Sequence, residues 1–131
     1  STDPKYIDEP FIAFLNANLE AGGLDPSISL LATGYFFAVP WTESLRVADA
    51  LPGGLSRTNL MLAARSIDIY HPLMMDGVAY ELNGAADAFA IEGSDFSQFD
   101  ATAQTWNQVG DIVDGNGNSP NCAWDKENGG C

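Results

Sequence analysis

Few residues in this chain combine the type and the spacing that chemistry requires. His71 stands before Pro72, where a helical pattern gives way to an extended one. The sequence contains no G-x-S-x-G elbow, H-E-x-x-H motif or P-loop, so no nucleophile pattern accompanies this histidine. A structural role for His71 is therefore favoured over a role as general base. An acidic hydrolase has no positive feature in its support, and we predict that the protein is not an enzyme.

An acidic and asparagine-rich segment from Asp114 to Asp125 has the spacing of a calcium-binding loop. Asp114, Asn116 and Asn118 place oxygens at positions 1, 3 and 5, and Asp125 provides position 12. Position 6 of that pattern calls for glycine but is Ser119, and no flanking helices are predicted. A surface turn explains the same residues more simply. We therefore predict no metal and no cofactor.

The two cysteines, Cys122 and Cys131, are separated by the eight residues AWDKENGG. This spacer is flexible enough to close a disulfide, which suits an oxidising compartment. Two thiols and the distant His71 make a poor zinc site. We predict a Cys122–Cys131 disulfide, and pairing of either cysteine with a residue outside this chain stays open.

Charge and length limit the classes of function. The 131 residues are 46% apolar, enough to bury a core. The net charge of −13 argues against nucleic-acid binding, because phosphate must be neutralised by basic side chains. The acidic surplus favours solubility and also fits a secreted or salt-adapted setting. No apolar run is long enough to span a membrane, and the polar residues 1–5 predict no signal peptide in this chain.

Helical spacing of apolar residues predicts three helices in the first half of the chain. Asp8 is the expected N-cap of the first, with Pro10 just inside it. Pro40 marks either a late start or a kink in the second, and Ser56 or Thr58 caps the third. The predicted helices span residues 9–21, 35–51 and 57–68.

Beyond His71 the period of the apolar pattern changes to two. Val78, Tyr80 and Leu82 alternate with Ala79 and Glu81, as in a half-buried strand. Two further apolar stretches follow, separated by Gly-containing turns. The predicted strands span residues 78–82, 88–92 and 105–113.

Three segments carry a family resemblance: GYFFAVPWTESLRVADALPGGLSRTNLMLAARSID at 34–68, HPLMMDGVAYELNGAADAFAIEGSDFS at 71–97, and NSPNCAWD at 118–125. They resemble the C-terminal part of actinobacterial ABC-transporter solute-binding proteins, relatives of the branched-chain amino-acid receptors. The likeness extends from Asp3 to about Asp125. Its specific points are Gly34-Tyr35 opening a long helix, Gly53-Gly54-Leu55 before a capped helix, and Asn83-Gly84 before the final strands.

The resemblance implies an α/β fold of the two-lobed type I periplasmic-binding class. Residues 1–86 would be the last helices and a strand of the first lobe. Residues 87–131 would contain the crossover, the final strands of the second lobe and a disulfide-containing tail. The parallel sheets, the lipoprotein signal and most ligand contacts would then precede this chain.

The function that the resemblance implies is binding of a small, amino-acid-like solute by lobe closure, without chemistry. Its partners would be the solute, the remaining N-terminal part of the receptor and an ABC permease, outside the cytoplasm and peripheral to the membrane. Related receptors place an aromatic ring near the start of the second helix. This likeness points to Tyr35 and then Phe36 as ligand-binding residues. The ordinary role of such rings is core packing, which stays the alternative. The alternative is a stand-alone interaction or structural domain, or a fragment held in another assembly.

The three helices have apolar faces that short antiparallel strands are too small to cover. At about 25 cal/mol per Å² of exposed apolar surface, leaving several hundred Å² wet would cost several kcal/mol. We therefore expect five apolar side chains to be buried against another chain or another copy: Phe11, Phe14, Leu15, Leu60 and Met61.

Overall fold

The protein, described by a computed structural model over residues 5–84 and 86–117, places three helices before a series of short strands. The helices are α1 (Pro10–Ala21), α2 (Ser29–Ala50) and α3 (Arg57–Arg65). The strands are β1 (Asp68–Ile69), β2 (Tyr80–Glu81), β3 (Gly93–Ser94), β4 (Ser97–Asp100), β5 (Thr105–Gln108) and β6 (Val113–Asp114). This order confirms the coarse prediction of a mixed helix and strand fold with the helices first.

Helix α1 begins and ends close to the predicted residues. Pro10 occupies its first turn, where the missing N–H has no helical partner to lose. Glu9 is the N-cap and its side chain makes no capping hydrogen bond, so the prediction of Asp8 as the cap was wrong. At the other end Gly23 has φ +75°, which allows the Leu24 N–H to donate to the Leu19 carbonyl oxygen at 2.9 Å.

Helix α2 starts at Ser29, well before the predicted residue 35, and runs through Pro40 without ending there. The predicted start at residue 35 and the alternative of a late start at Pro40 are therefore wrong, whereas a kink at Pro40 stays a prediction. Helix α2 packs against α3. Two small side chains in the second half of α2, Ser44 and Ala48, are buried, and the Ser44 hydroxyl donates to the Pro40 carbonyl oxygen at 2.8 Å.

Helix α3 has the capped start that the sequence predicts. Ser56 is the N-cap, and its Oγ accepts from the Asn59 N–H at 3.2 Å. The helix ends at Arg65 rather than residue 68. The reason is that Asp68 and Ile69 pair with β2 and must leave the helical conformation to do so.

The strands form three two-stranded antiparallel ribbons, β1–β2, β4–β5 and β3–β6, with the β4–β5 hairpin nested inside β3–β6 along the chain. The predicted strand 78–82 is reduced to Tyr80–Glu81. The predicted strand 105–113 is divided between β5 and β6, because Gly110 takes φ +82° between them. The prediction of a strand at residues 88–92 was wrong, because that segment forms no strand. Phe89 and Ile91 within it are 42% and 40% exposed.

The core of the described residues is small. Its buried apolar members are Ile12, Leu15, Leu19, Ala48, Ala63 and Ile67. The expectation that another chain buries Leu15 was wrong, because Leu15 is fully buried within this chain. Of the other four side chains, Phe11 and Leu60 are half-buried, and Phe14 and Met61 are each 54% exposed. Burial of Phe14 and Met61 by a partner stays a prediction.

Candidate functional site

His71 completes a hydrogen bond that Pro40 removes from α2. Proline has no N–H, so the carbonyl oxygen of Phe36, four residues earlier, loses its usual helical donor. His71 Nε2 lies 2.9 Å from that oxygen. A carbonyl oxygen can only accept, so Nε2 carries a proton. The Leu73 N–H donates to His71 Nδ1 at 3.2 Å, so a neutral imidazole uses both ring nitrogens within the protein.

This geometry explains why α2 continues past Pro40 and what His71 does. The side chain is 3% exposed, and neither nitrogen is directed to solvent as a general base would require. The structural role predicted for His71 is therefore the one that its contacts support. Pro40 and His71 therefore act as a pair, because the hydrogen bond that His71 makes where Pro40 has no N–H joins α2 to the segment around His71.

Three aromatic rings surround this bond and connect α2 to β2. The rings of Phe36 and His71 have centroids 4.4 Å apart. Tyr80 in β2 stacks on His71 at 5.5 Å with an interplanar angle of 22°, and its ring lies 6.4 Å from that of Phe36. Burial raises the pKa of the Tyr80 phenol above its ordinary value. We call Phe36, His71 and Tyr80 the aromatic cluster.

The two predicted ligand-binding residues have different surroundings. Phe36 belongs to the aromatic cluster and is half-buried, which matches the ordinary packing role of such a ring. Tyr35 is also half-buried and, one position earlier on α2, points about 100° away around the helix axis. Phe37 contacts Phe36 edge-on at 5.6 Å but is 65% exposed. A ligand contact of Tyr35 or Phe36 remains a prediction.

A polar pocket of about 170 Å³ lies on the other side of β2 from the aromatic cluster, because successive strand residues face opposite ways. Its lining is Glu81, Asn83, Ala86, Asp87, Asn116 and Gly117. Asn116 Nδ2 donates to Glu81 Oε2 at 3.0 Å. Asp87 is 8% exposed, and its Oδ1 accepts from the Phe89 N–H at 3.0 Å. The pocket is smaller than the roughly 300 Å³ at which drug-sized ligand sites begin.

Asp114 lies beside this pocket and holds two backbone segments in place through hydrogen bonds. Its Oδ2 accepts from the Ala79 N–H at 2.9 Å and its Oδ1 from the Asn116 N–H at 3.0 Å. Both oxygens of the first position of the calcium-like pattern are therefore used by backbone amides. Asn118, Ser119 and Asp125 lie outside the described residues. Within residues 5–84 and 86–117, no three His, Cys, Asp or Glu side chains are placed to hold a metal ion.

An open groove of about 570 Å³ follows the exposed side of α3. It is lined by Arg57, Thr58, Met61, Leu62, Arg65, Ser66 and Gly84, and we call it the α3 groove. Met61 and Leu62 are 54% and 58% exposed, and an arginine stands at each end of the helix. The Gly84 N–H donates to the Arg65 carbonyl oxygen at 2.7 Å, which holds the turn after β2 against the end of α3.

Sequence reasoning missed the polar pocket and the α3 groove for different reasons. The groove has a local signal, because Arg57, Met61 and Arg65 recur every fourth residue and so share one helix face. The pocket joins Glu81 to Asn116, which are far apart in sequence, and no local pattern predicts that contact.

No protein-family model, curated protein or solved structure matches this chain. Across the part of the chain that the structure describes, no helix has the length and apolarity needed to cross a membrane. The predicted Cys122–Cys131 disulfide lies outside the described residues.

Proposed function

We propose that this protein is a solute-binding component of an ABC importer and binds a small, amino-acid-like solute without making or breaking bonds. The proposal rests on the sequence resemblance and on one structural observation, an uncovered apolar stripe on α2. Leu30, Phe37 and Trp41 are 75%, 65% and 55% exposed, and their spacing with Gly34 puts them on one helix face.

The stripe has the form of a helix face that packs on a β-sheet. In α/β lobes a helix buries one apolar face against a sheet, whereas the ribbons described in this chain have two strands each. Residues 1–86 would then be the last helices of one lobe of a two-lobed type I fold, and residues 87–131 would cross to the other. A sheet from the N-terminal part of the receptor would cover Leu30, Phe37 and Trp41.

Solute would bind between the lobes, where the first half of α2 would contribute Tyr35 and Phe36. The apolar ring of Tyr35 suits the side chain of an amino-acid-like solute, since ligand sites combine apolar walls with a few polar anchors. Closure of the lobes would present the loaded receptor to an ABC permease outside the cytoplasm. The acidic net charge of −13 fits a soluble, extracytoplasmic domain at the membrane periphery.

The test uses the mature polypeptide isolated from its source, with its mass determined by mass spectrometry. Isothermal titration with a panel of amino acids and small carboxylates should identify at least one solute that binds. Tyr35→Ala should weaken that binding about tenfold or more, because an aromatic contact is lost. Tyr70→Ala is the matched control, since Tyr70 is 78% exposed. Absence of binding to the whole panel, or equal effects of the two substitutions, would count against the proposal.

The uncovered stripe can be tested separately from solute binding. In the mature polypeptide, hydroxyl-radical footprinting should find Trp41 protected if a sheet of the same receptor covers α2. A stand-alone interaction domain is the second candidate function, and the exposure of Met61 and Leu62 on α3 favours it. That candidate predicts an exposed Trp41 in the free protein and no solute binding.

A further inference from the structure

The α3 groove contains two arginines that have no acidic partner among residues 5–84 and 86–117. Within the described residues the ion pair is Arg46 with Glu43, at 2.6 Å. Neither Arg57 nor Arg65 has a carboxylate oxygen within 4.0 Å in that part of the chain. The imbalance is unusual in a protein with 18 acidic and 5 basic residues, where a carboxylate is the commonest charged neighbour an arginine could meet.

The position of Arg57 makes an intramolecular role less favourable. It is the first residue of α3, and the first turn contains no acidic side chain. A cation at a helix N-terminus opposes the helix dipole and is unfavourable there. Arg57 therefore does not stabilise its own helix, and its side chain forms one end of the α3 groove.

The groove is apolar between its charged ends. Arg57, Met61 and Arg65 follow one another at four-residue steps, with Leu62 beside Met61 and also more than half exposed. The arginine Cα atoms are about 12 Å apart along the helix axis, at 1.5 Å per residue. An occupant must therefore provide two anionic groups at about that separation with apolar surface between them.

We propose that the α3 groove docks an amphipathic helix of a partner protein that carries two carboxylates eight residues apart on either side of an apolar centre. Carboxylates match the arginines, which bind them with charge-assisted and bidentate hydrogen bonds. Two carboxylates on a short helix carry far less negative charge than a second copy of this chain, an anionic membrane or a nucleic acid, so the net charge of −13 disfavours those three occupants more strongly. The proposal does not depend on solute binding.

The experiment uses the full chain and a synthetic probe. The probe is a capped, fluorescein-labelled, 16-residue Ala- and Gln-based helix with glutamates at positions 4 and 12 and leucines at positions 8 and 9. Fluorescence anisotropy should show saturable binding that weakens several-fold between 50 and 200 mM salt, because the contacts are ionic. A second probe with glutamines in place of the glutamates should bind about tenfold more weakly or less, because it offers the arginines no charged group.

Variants distinguish the groove from charge alone. Arg57→Gln and Arg65→Gln should each weaken binding of the glutamate probe about tenfold, since each removes a charge-assisted contact while keeping a good helix former. Arg46→Gln is the matched control, because Arg46 is already paired with Glu43, and it should leave binding unchanged. Circular dichroism checks that the variants stay folded.

Several results would overturn the proposal. They are equal binding of the glutamine probe, an equal loss in Arg46→Gln, or no loss in the two groove variants. A dimer in sedimentation velocity that dissociates in Arg57→Gln would assign the groove to a second copy of this chain. Displacement of the glutamate probe by millimolar inorganic phosphate would assign the arginines to a small anion.

Discussion

His71 Nε2 lies 2.9 Å from the carbonyl oxygen of Phe36, an oxygen that loses its helical donor because residue 40 is proline. The bond joins two residues 35 positions apart in sequence. It supplies a donor from outside the helix where the helix itself has none, so the carbonyl oxygen of Phe36 is satisfied. The position of His71, and with it the stacked Tyr80, is thereby fixed relative to α2.

Substitution of His71 should be costly, and the cost should depend on Pro40. His71→Ala removes the donor to Phe36, the acceptor for the Leu73 N–H and the ring between Phe36 and Tyr80, so we expect a loss of about 2–4 kcal/mol in unfolding free energy. In a Pro40→Ala background an N–H is restored at residue 40 and the loss should be smaller by about 1 kcal/mol. Urea denaturation of the four variants of this cycle measures the coupling.

Tyr70→Ala is the control for that cycle, because the neighbouring Tyr70 is 78% exposed and its removal should change stability by less than about 0.5 kcal/mol. A His71→Ala loss that is the same with and without Pro40 would show that the histidine contributes through packing alone.

The ends of a helix could be predicted from sequence where residues close by in the chain determine them. Gly22 and Gly23 after α1, and Ser56 before α3, determine those ends through short-range hydrogen bonds. The start of α2 was missed because Gly34 and Pro40 are helix-weakening residues by themselves. A tertiary contact explains why α2 continues through Pro40, since His71 satisfies the carbonyl oxygen that Pro40 frees.

The strands were harder to predict because the pairing partner of each strand, and not an alternating pattern within it, defines the strand. The sequence SQFD of β4 has no alternation of apolar and polar residues, yet it pairs with β5 and places Phe99 opposite Trp106. The apolar run before Gly93 had the composition of a strand but forms none. For the candidate site, His71 was assigned correctly to structure, whereas the polar pocket depends on contacts across 35 residues that no motif encodes.

Gly93 has no room for a side chain. A Cβ built on it would lie 2.6 Å from Val78 Cγ1 and 3.0 Å from Val78 Cβ, so the branch point of the valine as well as its tips would have to move. Gly93→Ala should therefore lower the unfolding free energy by about 1–3 kcal/mol. Val78→Ala should recover part of that loss in the double variant, and thermal denaturation compares the two.

Gly34→Ala is the opposite case and serves as the control for Gly93→Ala. Its Cβ would meet no atom within 4 Å and the residue lies inside α2, so the change should stabilise the protein by about 0.5–1 kcal/mol. Destabilisation by both substitutions to the same degree would contradict the steric explanation for Gly93.

Asn59 should not tolerate replacement by its acidic isostere. The side chain is buried, and its Nδ2 donates to the carbonyl oxygens of Pro52 and Gly54 at 3.1 and 2.8 Å. Asn59→Asp would place a carboxylate, which only accepts, against two acceptors, and should cost about 2–3 kcal/mol at pH 7. The cost should shrink near pH 4, where a protonated carboxyl can donate once.

Asn107→Asp is the control, because Asn107 lies exposed on strand β5. In urea denaturation at pH 7 it should change stability by less than about 0.5 kcal/mol.

The turn between β4 and β5 should loosen in acid because of Asp100. Its carboxylate accepts from the Ala103 and Thr102 N–H groups, and these backbone hydrogen bonds hold its pKa below the ordinary value of an aspartate. A pKa that is lower in the folded than in the unfolded state contributes stability above the unfolded value, and that contribution is lost as pH falls through the folded pKa.

An NMR titration of this turn should show the Thr102 and Ala103 amide signals shifting together below pH 4. The rings of Phe99 and Trp106 have centroids 5.1 Å apart, and their ring-current shifts should change over the same pH range. Asp100→Asn retains an accepting oxygen but does not titrate, so its turn should stay ordered across the same range. Parallel loss of order in the wild type and in Asp100→Asn would mean that another group controls the turn.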